Sequence, residues 1–137
     1  MLSLALLVAG CVQPLPYTPA DIQAKRFEAL PDKAVIYVVR DDPDFTNEPS
    51  TITLDDSGMI TTYPGTYYRW EAEPGVRRIE GYVGDLGRIA LPVEAGRIYF
   101  VLQRVSYFMR FPQSHFNLVA EPHGRAVVGR SELVGGR

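Results

Sequence analysis

Three kinds of side chain in this 137-residue chain have the chemistry for a reaction or a metal: one cysteine, two histidines and two groups of carboxylates. His115 and His123 are the only imidazoles, and so the strongest general-base candidates near neutral pH. A hydrolytic triad also needs an activated nucleophile, and the string Gly-X-Ser-X-Gly does not occur. Glu71 and Glu73, two apart on a strand, share one face at about 7 Å, within the range of paired glycosidase carboxylates. Exposed glutamates beside a turn account for them equally. Asp41, Asp42 and Asp44, with Asp55 and Asp56, raise calcium, but the alternating ligands, central glycine and terminal glutamate of a calcium loop are missing. They read as solvated turn formers. A single cysteine, Cys11, allows neither an intramolecular disulfide nor a cysteine-based zinc site. The sequence therefore offers no catalytic set, no metal site and no cofactor.

Cys11 has a different chemistry open to it. Residues 1–10, MLSLALLVAG, are uncharged and apolar but fall short of the roughly 20 residues that span a bilayer. Their length suits the apolar region of a signal peptide ending in small residues. The string Leu7-Val8-Ala9-Gly10-Cys11 resembles the bacterial lipobox. That resemblance implies a diacylglycerol thioether on Cys11, removal of the leader and acylation of the new N-terminus by a palmitate-like chain. The alternative is a small buried hydrophobe. No Lys or Arg precedes Cys11, so a basic n-region is expected upstream, behind an earlier in-frame start codon. Two or more acyl chains hold a protein stably on a bilayer. The domain would then face an extracytoplasmic space. Val12, where an inner-membrane lipoprotein commonly carries Asp, favours the periplasmic leaflet of the outer membrane over the inner membrane.

Composition fits one domain. Hydrophobic residues make up 46% and charged residues 22%, which excludes a wholly disordered chain and gives enough apolar surface for a core. Fourteen basic residues against sixteen acidic ones give no electrostatic reason to expect nucleic acid. Residues 11–32 form the lipidated N-terminus and a Pro-rich tether, since VQPLPYTPA opposes both helix and sheet. Asp21 is placed to cap two helical turns ending before Pro31. Docking of Phe27 and Leu30 onto the domain is the equal alternative to a free spacer.

From residue 33 the apolar period becomes two. Residues 34–39 are apolar on both faces and read as a central, doubly covered strand. Residues 51–54, 59–63, 66–72, 76–83, 88–93, 98–105 and 115–120 follow as strands. Ile52 and Leu54 point inward, as do Ile89, Leu91 and Val93. Tyr68 and Trp70 share one face of their strand, with Tyr67, Arg69 and Glu71 on the other. Pro92 marks an edge. Residues 121–133 read as a short helix weakened by Gly124 and Gly129. The expected fold is all-β, a β-sandwich of about seven to eight short, mostly antiparallel strands over residues 33–134, with a short C-terminal helix. Strand order stays open, because sandwiches and barrels share this pattern.

Several strings in this body, in order, resemble the bacterial lipoproteins grouped as the domain of unknown function 2846 family. They are Ala34-Val35-Ile36-Tyr37-Val38 closing on Arg40, then Gly65-Thr66-Tyr67, then Pro74-Gly75, and last Ala95-Gly96-Arg97-Ile98-Tyr99. The acidic turn Asp55-Asp56-Ser57-Gly58 departs from the simpler Asp-Gly expected there. The resemblance implies a lipid-anchored β domain and supplies no activity.

The aromatic residues remain. Tyr107, Phe108, Met109 and Phe111 fall between two strands, with Arg104 and Arg110 near them. A loop that apolar either folds onto the core or meets a partner. With Tyr67 and Trp70, the residues Tyr107, Phe108, Arg110 and Phe111 form the candidate binding face, for an envelope protein or a glycan. The function read from the sequence is a membrane-anchored, non-catalytic binding, accessory or scaffold module. The alternative is a small hydrolase acting on envelope polymers, which requires a cleft joining His115 or Glu71 to a second polar group.

Overall fold

A strand apolar on both faces must be covered on both faces, and β1 (Ala34–Arg40) is: all seven of its residues are buried. Ala34, Ile36 and Val38 point into a core shared with a second sheet. Val35, Tyr37 and Val39 point the other way, beneath two helices. Burying each such aliphatic side chain is worth about 1.5–3 kcal/mol, so this strand anchors both layers. The computed structural model describes residues 17–56, 58–82 and 87–134. The leader, Cys11, residues 12–16, Ser57, residues 83–86 and the tail 135–137 lie outside the described residues.

The remaining elements are α1 (Pro19–Ala24), β2 (Ser50–Leu54), β3 (Gly58–Thr62), β4 (Thr66–Ala72), β5 (Gly75–Gly81), β6 (Arg88–Val93), β7 (Ile98–Phe108), β8 (Phe111–Val119), α2 (Glu121–Gly129) and β9 (Glu132–Leu133). One sheet has the order β8-β7-β1-β4-β9 and the other β3-β2-β5-β6. The molecule is an all-β sandwich, mostly antiparallel, with a short helix near the C-terminus. β1 pairs with β7 in parallel and β9 with β4 in parallel. Ile52, Leu54, Ile79, Leu91 and Val93 close the inter-sheet core from the smaller sheet. Pro92 lies on β6, an edge strand, where its missing N–H costs no ladder bond.

The segment before β1 takes the docked alternative. Thr18, not Asp21, caps α1: its Oγ1 accepts from the Asp21 N–H at 3.2 Å. Asp21 sits inside the first turn, and α1 stops at Ala24. Phe27 adopts a positive φ of 53°, and its ring meets Tyr37 and Phe100 at centroid distances of 5.3 and 5.8 Å. Leu30 packs against the same cluster. The Tyr37 hydroxyl donates to the Ala24 carbonyl at 2.6 Å. Residues 18–30 therefore complete the outer core.

α2 ends at Gly129, short of the expected residue 133, because residues 132–133 leave the helix to pair with β4. Gly124 has a packing reason. A Cβ there would enter the space of the Phe100 ring, which is itself stacked on Tyr37 at 5.2 Å. Gly124→Ala gains about 1 kcal/mol of helix propensity but overpacks the core by about 1–3 kcal/mol. The expected result is net destabilisation. Gly129→Ala meets nothing within 4 Å and is expected to stabilise. Urea midpoints of the two variants, moving in opposite directions, check this.

Candidate functional site: an aromatic hairpin on a clamped base

β7 is longer than its neighbour. Its pairing with β1 ends at Gln103 opposite Arg40, while its pairing with β8 runs on to Phe108 opposite Phe111. Residues 104–115 thus form a two-stranded ribbon beyond the end of β1. The stretch expected to be a loop is instead the ribbon's tip, since β7 and β8 each extend further than the residue pattern indicated. Met109 and Arg110 make the two-residue turn, with φ of 50° and 84°. Positive φ at both central positions is the hairpin geometry that matches strand twist. Glycine or asparagine normally fills it, and two ordinary side chains there are strained.

The ribbon is apolar where it has nothing to bury against. Tyr107 pairs with Pro112 on one face and Phe108 with Phe111 on the other. Tyr107 is 51%, Phe108 60%, Phe111 62% and Met109 79% exposed. Arg110 is exposed at the turn. Beside the ribbon, Arg104 lies over the ring of Phe45, 5.6 Å from its centroid, and Phe45 is itself exposed.

The base of the ribbon is held firmly. Arg40 is fully buried. Its Nε lies 2.6 Å from Asp44 Oδ2, and its other nitrogens donate to the carbonyls of Thr46, Glu48 and Thr62. The same Asp44 oxygen accepts from the Val105 N–H at 3.0 Å, which ties loop 41–49 to the root of the ribbon. Beneath it, Gln103 accepts from Thr62 Oγ1 at 2.8 Å and donates to Ser50 and Ser114. The Ser50 and Ser114 hydroxyls lie 3.1 Å apart, so both ribbon strands are bonded to the smaller sheet. Asp44 is a buried counter-ion, not the solvated turn former read from its acidic neighbours. The available signal was Arg40, a cation closing a strand that is otherwise apolar on both faces. Asp41 is bound by Arg130 at 2.7 and 3.1 Å. That hydrogen bonding holds its carboxyl below the usual range, and pins the end of α2 to the same loop.

The other sequence candidates lie elsewhere. Tyr67 is fully buried under α1 and is removed from any surface. Its hydroxyl donates to Asp21 Oδ1 at 2.8 Å. Asp21 also accepts from the Leu133 N–H at 3.1 Å, and Lys25 Nζ lies 2.9 Å from its other oxygen. Trp70 is half-buried and pairs with Ile36, well down the strand from the ribbon. It lines a groove of about 270 Å³ with Asp55, Glu71, Glu73 and Arg77. Glu71 is paired with Arg69 and Glu73 with Lys33. His115 is exposed on β8, 3.2 Å from Ser106 Oγ. β8 lies three strands from β4. With the register offset, His115 and Glu71 are about 25 Å apart. His123 is exposed on α2. Among the described residues no cluster of three or more His, Cys, Asp or Glu could hold a metal ion. No helix among them is long and apolar enough to cross a membrane.

Burial, and next the hydrogen bond to Asp21, push the Tyr67 hydroxyl far above its ordinary range. Burial raises Tyr37 as well. The folded state therefore keeps phenolic protons that the unfolded chain releases near pH ~10. This contribution is complete below that pH and is lost as pH rises above it. Stability should fall steeply on the alkaline side. Tyr67→Phe should start lower at pH 7, by about 1.5–3 kcal/mol for a hydrogen bond to a charged group, and show a flatter alkaline limb. Urea melts from pH 7 to 11.5 check both.

Comparison of the chain with protein-family models, with curated proteins and with solved structures gives no match.

Proposed function

We propose that this chain is an envelope lipoprotein, acylated at Cys11. Its β-sandwich would serve as a non-catalytic binding, accessory or scaffold module held at a membrane surface and facing the periplasm. The outer membrane is favoured over the inner by Val12. The observation that carries this reading is the string Leu7-Val8-Ala9-Gly10-Cys11 behind an uncharged apolar leader, with no other cysteine in the chain. The ordered strings shared with the domain of unknown function 2846 lipoproteins support it. So does the exposed aromatic tip on a rigid base, which suits binding better than chemistry. For the alternative, a small hydrolase, the candidate cleft is the groove in which Glu71 lies beside Asp55, Glu73 and Arg77; there Glu71 is tied to Arg69 and Glu73 to Lys33. Anchoring raises the local concentration of the module for whatever it meets at that surface.

In-cell crosslinking of the tagged chain, wild type against Cys11→Ala, with capture read by mass spectrometry, tests the module's role. One envelope protein captured only by the anchored form is the expected result. No specific capture from abundant, lipidated protein would sink the scaffold role and move glycan binding forward.

A further inference from the structure

We infer that the tip of the β7–β8 hairpin seats in a phospholipid bilayer surface, as a second membrane contact beside the anchor. This rests on the lipid-anchored reading above and extends it. The first ground is chemistry. The tip of the ribbon is apolar on both faces, its exposed apolar side chains are Tyr107, Phe108, Met109 and Phe111 with Arg110 exposed at the turn, and residues 104–113 carry two arginines and no acid. Aromatic rings and Met beside Arg are what an interface of acyl chains and anionic headgroups accepts.

The second ground is where the chain comes in. Lys25 Nζ lies 3.7 Å from the centroid of Tyr17, and donates to the Ser131 carbonyl at 2.7 Å. Ser131 precedes Glu132, which pairs with Thr66, which pairs with Arg40. Tyr17 therefore stands at the Arg40 end of the larger sheet, the end from which the hairpin projects. The third ground is length. From Gln103 to Phe108 the ribbon advances about 17 Å. From Tyr17 to Cys11 the chain spans at most about 20 Å. An acylated Cys11 can thus reach the plane of the tip, and both can occupy one leaflet surface. Phe45, at the same end, is 71% exposed and would face that surface too.

The test uses the full chain, purified from membranes and reconstituted in vesicles of phosphatidylethanolamine and phosphatidylglycerol. With Cys11 acylated, Met109→Cys supplies the only free thiol for an environment-sensitive dye. Glu94→Cys, in the connection before β7 at the opposite end, is the control. The dye at position 109 should emit at shorter wavelength and be quenched at least twofold more by spin-labelled lipid than the dye at 94. Equal, water-like emission at both positions would overturn the inference. Water-like emission in vesicles with protection only in native envelope membranes would also overturn it, and assign the tip to a protein partner. Repeating the measurement with Cys11→Ser separates the two readings. If the wild-type N-terminus proves unacylated while this chain's tip still enters the vesicles, the anchor fails and the tip contact stands.

Discussion

Cys11→Ala should move the protein from the membrane fraction to the soluble fraction without altering its fold. The expected change is close to complete, because of how acyl chains add. Each buried methylene contributes about 0.8 kcal/mol, and one chain alone gives only marginal, reversible binding. Two or three chains on one residue bring binding that does not reverse during fractionation. On the proposed lipid-anchored reading, removing the thiol removes all of them together, since the lipobox resemblance implies that the thioether comes first and acylation of the new N-terminus follows. Both core clusters are built from residues between Ala24 and Leu133, so the circular dichroism spectrum and urea midpoint should be unchanged. Retention in the membrane fraction by Cys11→Ala would mean that something other than the anchor, the aromatic tip first of all, dominates binding.

The second large effect is structural. Arg40→Met should lower stability by about 3–5 kcal/mol, because it leaves Asp44 buried without its counter-ion. The side chains of both partners are at most 1% exposed, so water cannot replace what is lost. Three backbone carbonyls, of Thr46, Glu48 and Thr62, lose donors as well. A domain of this size has about 5–15 kcal/mol in total, so the loss is a large share of it. Asp44→Asn should cost less. The amide oxygen can still accept from the Val105 N–H, but the guanidinium then lacks its charge partner. The double variant Arg40→Met with Asp44→Leu should recover part of the loss, because exchanging a whole buried pair for apolar groups is often neutral. Urea unfolding of the three variants checks the ranking. Equal stability of wild type and Arg40→Met would show that the pair does not hold loop 41–49 to the ribbon.

Much of the architecture was legible because local pattern and global role agreed. The doubly apolar run 34–39 could only be a covered strand, and the alternation at Ile52 and Leu54, or Ile89, Leu91 and Val93, sorts inward from outward directly. What stayed hidden depends on partners distant in sequence. Tyr67 and Tyr68 are adjacent tyrosines, and only the placement of α1 decides that Tyr67 disappears from the surface while Tyr68 packs between the sheets. Asp44 looks like Asp41 and Asp42 until Arg40 folds back over it. Gln103 carries no sequence signal of its network, because its partners lie 41 and 53 residues away on the other sheet and 11 residues away across the hairpin. The hairpin tip reads in the sequence as a loop that either folds onto the core or meets a partner; in the structure it is strand, and its side chains are exposed. No glycine or asparagine announced the turn at Met109 and Arg110, and β-ladder pairing overrode the weak turn propensity of those residues.

The mass of the mature N-terminal peptide decides whether Cys11 carries lipid. The expected peptide begins at Cys11 and is heavier by a diacylglyceryl group and an amide-linked acyl chain. An unmodified Cys11, or a peptide that still carries residues 1–10, would contradict the lipid-anchored reading.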